Sequence, residues 1–378
     1  MTLSKTASLL LIIAAVATFL LVAKPLLIPF VIALLIWYLI NALSHWIGKF
    51  DVVERFLPAW APTVISALFI FVILLSVGGL IIDNARSMVN AGPVYQKNLG
   101  DVIHRLDEAL PIDLSGIEAA VVSNTYVEFN KLLESTDFTL AGIVQRILNT
   151  LSGIAANAFL ILIYLIFLFF EQVHFSKKAN ALFPSPEDGG KFFEIIEHIN
   201  EAIRAYFKVK ITVSLITATL SYLLMVAVGL DFAIFWAFLI FLLNFIPNIG
   251  SLIATLFPSA LALIQFENTF APFVVILVGV GAIQVIVGNL VEPRMMGSSL
   301  NISSLVVILS LSLWGTMWGI TGMILCVPIT VILMIVFAQF PSTRPVAILL
   351  SESGELMTSL KVIQEANDDE EESSEDEE

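Results

Sequence analysis

Apolar residues in this chain fall in long unbroken runs rather than in the short periodic stripes of a water-soluble core. Leu9–Val22 and Leu26–Leu43 follow one another across Lys24-Pro25, which predicts a helical hairpin. Val64–Ile82, Leu151–Phe170, Ile211–Leu230 and Ala271–Gly288 are four further runs. Each comes close to the roughly 20 residues a helix needs to cross the hydrocarbon layer. Two polar stretches interrupt them. Residues 83–150 carry mixed charge and one helical face of Leu99, Val102, Ile103, Leu106 and Leu110, so they predict a small helical module outside the membrane. Residues 171–208 hold an amphipathic helix with Phe192, Ile195, Ile196, Ile199, Ile203, Tyr206 and Phe207 on one side and Lys191, Glu194, Glu197, Glu201, Arg204 and Lys208 on the other.

The last third is irregular. Phe232–Ile246 is apolar, Pro247-Asn248-Ile249-Gly250 breaks it, and Ser251–Phe266 is apolar again. Leu305–Trp318, Gly319 and Ile320–Phe337 repeat the pattern. Half-segments of about 15 residues reach only about 22 Å, short of a core about 30 Å thick. Two broken, re-entrant hairpins are therefore expected, separated by the span 271–288. Irregular backbone at that depth must be buried in protein or line a cavity. Four ordinary short spans are the competing arrangement, and they give the same topology.

Composition agrees with lipid as the solvent: 58% of residues are hydrophobic, 13% are charged, and mean hydropathy is +0.95. The fold class expected is an all-α polytopic membrane protein with about eight hydrophobic segments. On this reading residues 1–82 hold three N-terminal helices, 83–150 the extracytoplasmic module, 151–170 the fourth helix, 171–210 a cytoplasmic loop, 211–338 a transport core and 339–378 a cytoplasmic tail. The positive charges Lys177, Lys178, Lys191, Arg204, Lys208 and Lys210 place the 171–208 region in the cytoplasm, and both termini with it. Lys49 and Arg55 fit that orientation, and Lys24 violates it. The net charge of −14 is largely a tail property, because nine acidic residues lie between Asp368 and Glu378. Such a block stays solvated and argues against a nucleic-acid partner.

Catalysis has little to build on. The four histidines are scattered, there is no zinc-binding His-Glu-x-x-His and no phosphate-binding loop, and the one cysteine, Cys326, lies in an apolar run. Gly297-Ser298-Ser299-Leu300 has the loose form of a membrane serine protease motif, but no histidine follows His198. No metal or cofactor is expected. The amides do cluster: Asn244 and Asn248 bracket the first break, and Gln284 and Asn289 lie on the span between the hairpins. Buried amides either hold helices together or touch a solute. Asn244, Pro247, Asn248, Gly250, Gln284, Asn289 and Arg294 are thus the candidate substrate pathway. Glu292, Pro293, Gly297, Gly319 and Gly322 are candidates for coupling or gating. A proton- or sodium-coupled mechanism needs a carboxylate, and Glu292 is the nearest to the breaks, ahead of Asp231 and Glu267 at segment ends.

Asn244-Phe-Ile-Pro-Asn-Ile-Gly250, then Gly288-Asn-Leu-Val-Glu-Pro-Arg-Met-Met-Gly297, then Trp314-Gly315, Gly319, Gly322 and Pro328 occur in this order. Together they resemble the autoinducer-2 exporter family of permeases over nearly the whole chain. The resemblance implies export of a small polar signal, autoinducer-2, by homo-oligomers in the bacterial inner membrane. Some relatives are described as sodium(lithium)/proton antiporters, which is the second expectation. A membrane scaffold or regulator acting through the 83–150 module or the tail is the third. The acidic tail after Asn367 lies outside the common pattern.

Overall fold

Inside hydrocarbon no water is present to satisfy the backbone, so each segment must bond its own N–H and C=O groups, and helices result. The computed structural model describes residues 3–50, 57–58, 60–109, 157–182, 186–266, 269–296 and 301–354. These residues are helical almost throughout, and the one β-type pairing among them is an isolated bridge between Ile302 and Ser351. Among the described residues six helical segments are long and apolar enough to cross a membrane, and two shorter apolar helices accompany them. The protein is an all-α polytopic membrane protein.

The helices are α1 (Leu3–Val22), α2 (Lys24–Gly48), α3 (Ala61–Ala109), α4 (Ala158–Leu182), α5 (Pro186–Val228), α6 (Ala233–Leu243), α7 (Ile249–Gln265), α8 (Ala271–Ile286), α9 (Glu292–Met296), α10 (Ser304–Gln339) and α11 (Arg344–Leu350). A π-turn, Val287–Val291, links α8 to α9. Two changes of polarity mark no helix end. The apolar run up to Ile82 continues as helix to Ala109, because the residues around Asp83 include no terminator. The amphipathic stretch before residue 210 and the span after it form one helix, α5. The remainder of the expected 83–150 module, the turn at 183–185, Glu267, Gly297 and the acidic tail lie outside the described residues.

The chain divides into two compact units, Met1–Ser176 with Ala218–Ile240 and Leu252–Ile283, and Lys177–Thr217 with Phe241–Ser251 and Gln284–Glu378. In the first, a bend at Ala23 (φ −82, ψ 0) separates α1 from α2, with Pro25 in the first turn of α2, where its missing N–H costs nothing. Ser44 and Thr63 share a hydrogen bond between α2 and α3 (3.0 Å), and the Trp37 indole N–H donates to Gln172 of α4 (3.1 Å). Leu68, Phe69, Val72 and Leu75 of α3 stand exposed, as a lipid-facing surface would. Trp236 is 1% exposed and packs against Phe235 and Phe257. Gly279 on α8 leaves room for the Leu224 side chain of α5.

Hydrogen bonds and close approaches show that both broken segments fold back on themselves. In the first, the Gln265 amide at the end of α7 bonds both Asp231 N–H (2.8 Å) and Gly229 C=O (2.8 Å), so the two feet of the hairpin meet. With 11 residues, α6 reaches only about 16 Å and cannot cross the hydrocarbon layer. In the second unit, Gly319 interrupts α10 at φ 63 and ψ −141. Its two arms run antiparallel: Thr330 Oγ1 donates to Ser310 Oγ at 2.9 Å, and Met323 lies over Gly315. Straight, the 36 residues of α10 would make a rod about 54 Å long, in which Ser310 and Thr330 could not touch.

Candidate functional site

The first break is built to end one helix and start another in very little space. Pro247 has no N–H to give the α6 ladder. Asn248 takes φ 58, the left-handed region that asparagine tolerates better than most residues. Gly250 then passes so close to the Leu243 carbonyl that any Cβ there would collide with it. The resulting tip projects Asn244, Pro247 and Asn248 into a cavity of about 580 Å³.

The opposite wall comes from the end of α8. Pro293 can neither donate to the Asn289 carbonyl nor sit over it in a regular α-turn. The chain widens into the π-turn Val287–Val291, a feature often found at working sites. Gln284, Asn289, Glu292 and Pro293 line the cavity from this stretch. The amides Asn244, Asn248, Gln284 and Asn289 therefore line one cavity.

A third wall could not be anticipated from the amide pattern. Tyr206, Lys210, Ser214 and Thr217 recur every three or four residues on α5 and are all buried. They form a polar stripe on one helix face. Lys210 Nζ pairs with Glu292 Oε1 at 2.5 Å, with the two side chains 7% and 21% exposed. Ser214 Oγ accepts from Asn244 Nδ2 at 3.0 Å and so fixes the orientation of that amide. Tyr206 and Lys210 both line the cavity.

Among the described residues two polar atoms in the lining are buried without a hydrogen-bond partner, Tyr206 Oη and Gln284 Nε2. Such atoms are costly in a folded protein unless water or a ligand satisfies them. The rest of the lining includes Asn301, Ile302 and the exposed Glu352, with Ser304, Val307 and Val327 from α10. Among the described residues the charged groups in the lining are Lys210, Glu292 and Glu352, which leaves no unpaired cation among them. Among the described residues no three His, Cys, Asp or Glu side chains converge on a metal-binding position.

Other expected residues lie elsewhere. Gly250 shapes the tip from behind. Arg294 points outward and is exposed. Gly319 and Gly322 form the turn of the second hairpin, where a Cβ on Gly322 would strike the Trp314 carbonyl. Asp231 accepts from the Tyr95 hydroxyl at 2.7 Å in the first unit. Burial, reinforced by the Asp231 carboxylate, pushes the Tyr95 phenol well above its ordinary range and keeps it protonated.

Known proteins resemble this chain in sequence over most of its length. Residues 9–342 match the AI-2E family transporter profile. A Haemophilus influenzae protein named "Putative transport protein" is 31% identical over 334 residues, covering 87% of this chain and 91% of that one. The AI-2 transport protein TqsA of Escherichia coli is 29% identical over 331 residues, covering 87% and 90%. YhhT of Escherichia coli is 27% identical over 352 residues, covering 92% and 93%. The matched residues of this chain include its hairpin tip, its π-turn with the Glu-Pro pair and its second broken helix, and by that extent of agreement the chain belongs to the AI-2E transporter family.

Proposed function

We propose that the protein exports a small polar solute across the bacterial inner membrane, with autoinducer-2 the first candidate because one relative is named for its transport. The observation that carries this is the cavity: about 580 Å³, within the range of small-molecule sites, lined by five amides, Asn301 among them, and holding two unpartnered buried polar atoms among the described residues. A hydroxylated, uncharged solute would give Gln284 Nε2 an acceptor and Tyr206 Oη a partner. Asn248 and Asn289 would add contacts. The two hairpins, entering from opposite sides, would form inverted units around a midplane site, and rocking between them would alternate its access. Glu292, when released from Lys210, is the carboxylate that would carry a coupled proton. The protein would work as a homo-oligomer with both termini in the cytoplasm.

The same pair supports a second reading, sodium(lithium)/proton exchange, in which a cation replaces Lys210 at Glu292. One experiment separates the two. Purified protein in liposomes is loaded with autoinducer-2 and efflux is followed with and without a pH gradient, then with a sodium gradient. Efflux accelerated by the pH gradient supports a proton-linked exporter, and efflux indifferent to it supports facilitated diffusion. Sodium-driven proton movement without autoinducer-2 efflux supports the exchanger. No flux of either kind from folded protein refutes both.

A further inference from the structure

The segment that follows α10 returns to the cavity. Thr343 Oγ1 bonds the Phe337 carbonyl (2.9 Å), and α11 packs on α10 with Ala347 fully buried, which anchors the start of this strap. Its far end is held differently. Ser303 N–H donates to Leu350 C=O and Glu352 N–H to Asn301 C=O, both at 3.1 Å. These two bonds flank the Ile302–Ser351 bridge and make it a non-hydrogen-bonded antiparallel pair. The Asn301 side chain then takes two more bonds from one residue, Ser353 N–H (3.2 Å) and Ser353 Oγ (3.1 Å). Asn301 sits at φ 42, so a left-handed backbone presents that side chain to the strap. Asn301, Ile302 and Glu352 all line the cavity.

We propose that residues 344–354 are a gating strap: the clasp between 301–303 and 350–353 closes one mouth of the cavity, and solute passes when the clasp opens. The chemistry of the clasp suits a gate. It consists of a few hydrogen bonds at a partly exposed rim, each contributing little net stability, while the hinge end is fixed by buried packing. An isolated bridge lacks the cooperativity of a sheet, so it can break without disturbing the helices. Glu352 moves with the strap, and opening therefore removes one carboxylate from the rim. This assignment rests on the cavity being the solute site, but its physical test does not depend on which solute is carried.

Two measurements test it. In the first, Gln284→Cys is made in a Cys326→Ala background as the single thiol, and its labelling by a membrane-impermeant maleimide is timed in purified protein. Adding Asn301→Gly keeps the left-handed backbone but removes the acceptor for Ser353. Labelling is expected to accelerate about tenfold, as loss of one or two hydrogen bonds allows, and an unchanged rate overturns the proposal. In the second, Ile302→Cys and Ser351→Cys are paired in the Cys326→Ala background, since side chains of a non-hydrogen-bonded pair suit a disulfide. Oxidation is expected to crosslink them and stop autoinducer-2 efflux, with a reductant restoring it. Failure to crosslink, or full efflux from crosslinked protein, overturns the gate. Absence of efflux from the unmodified protein would instead count against autoinducer-2 as the solute, and the labelling rates would still decide the gate.

Discussion

Removing one member of the Lys210–Glu292 pair should cost far more than removing both. Glu292→Met leaves an ammonium group whose side chain is 7% exposed, and Lys210→Met leaves a carboxylate that is 21% exposed on a polar cavity. Losing one partner of a buried pair typically costs about 3–5 kcal/mol, because the other charge is stranded. The Lys210→Met variant should fall at the lower end of that range, since Glu292 can draw on cavity water, and Glu292→Met should fall higher. The double variant replaces both charges with apolar chains and should lie within about 1 kcal/mol of the parent, because desolvation and attraction nearly cancel in such pairs. The cycle therefore predicts a coupling energy of about 5 kcal/mol or more. Equilibrium unfolding in mixed micelles, followed by tryptophan fluorescence, measures all four corners. Additive single effects would refute the claim that these groups act as a pair across α5 and α9.

Glu292→Gln and Asn248→Ala should each lower solute flux in liposomes without loss of expression. Asn248→Gly, which keeps the left-handed backbone, should lower it too, and parental flux in all three would remove these residues from the pathway. Gly322→Ala should destabilise by about 1–3 kcal/mol, the usual cost of overpacking, since its Cβ meets the Trp314 carbonyl. Gly78→Ala, with open space around it, should not, and micelle unfolding of both variants checks the contrast. The Tyr95–Asp231 bond has a definite pH signature. The raised phenol means that its contribution is complete below the unperturbed tyrosine pKa of about 10 and is lost as pH rises through the folded value. Tyr95→Phe should thus be less stable at neutral pH and show a weaker alkaline loss than the parent, which pH-dependent unfolding tests.

Much of this architecture was legible because lipid imposes simple rules. Long apolar runs had to be helices, and Pro247-Asn248-Ile249-Gly250 and Gly319 had to break them. The amides Asn244, Asn248, Gln284 and Asn289 could be grouped because polar atoms are scarce in such runs. Lys210 was missed as a site residue because its charge had already been used to orient the 171–208 region. The signal was nonetheless in the sequence, as Tyr206, Lys210, Ser214 and Thr217 share one helix face. The ends of α3 and α5 were not legible from polarity, since a helix stops at a breaker and not at a membrane surface. The π-turn needed the geometry of Pro293, and the pairing of 301–303 with 350–353 is a contact between distant residues that no local pattern encodes.

The two broken helices solve one physical problem by the same means. Each must reverse its direction within a few residues while leaving as few backbone groups unsatisfied as it can. In the first, Gly250 admits the Leu243 carbonyl, and in the second, Gly322 admits the Trp314 carbonyl. In both, a glycine early in the returning arm lets the end of the outgoing arm approach to backbone distance, which a side chain would prevent. Yet the tips differ where function would require it. The first carries Asn244 and Asn248 into the cavity, whereas the second turns at Gly319 between apolar residues and, among the described residues, gives Ser304, Val307 and Val327 to the lining from its arms. The common device explains how the reversals fold, and the difference between the tips explains why recognition would lie with the first hairpin and the π-turn, while the second serves as a packed wall.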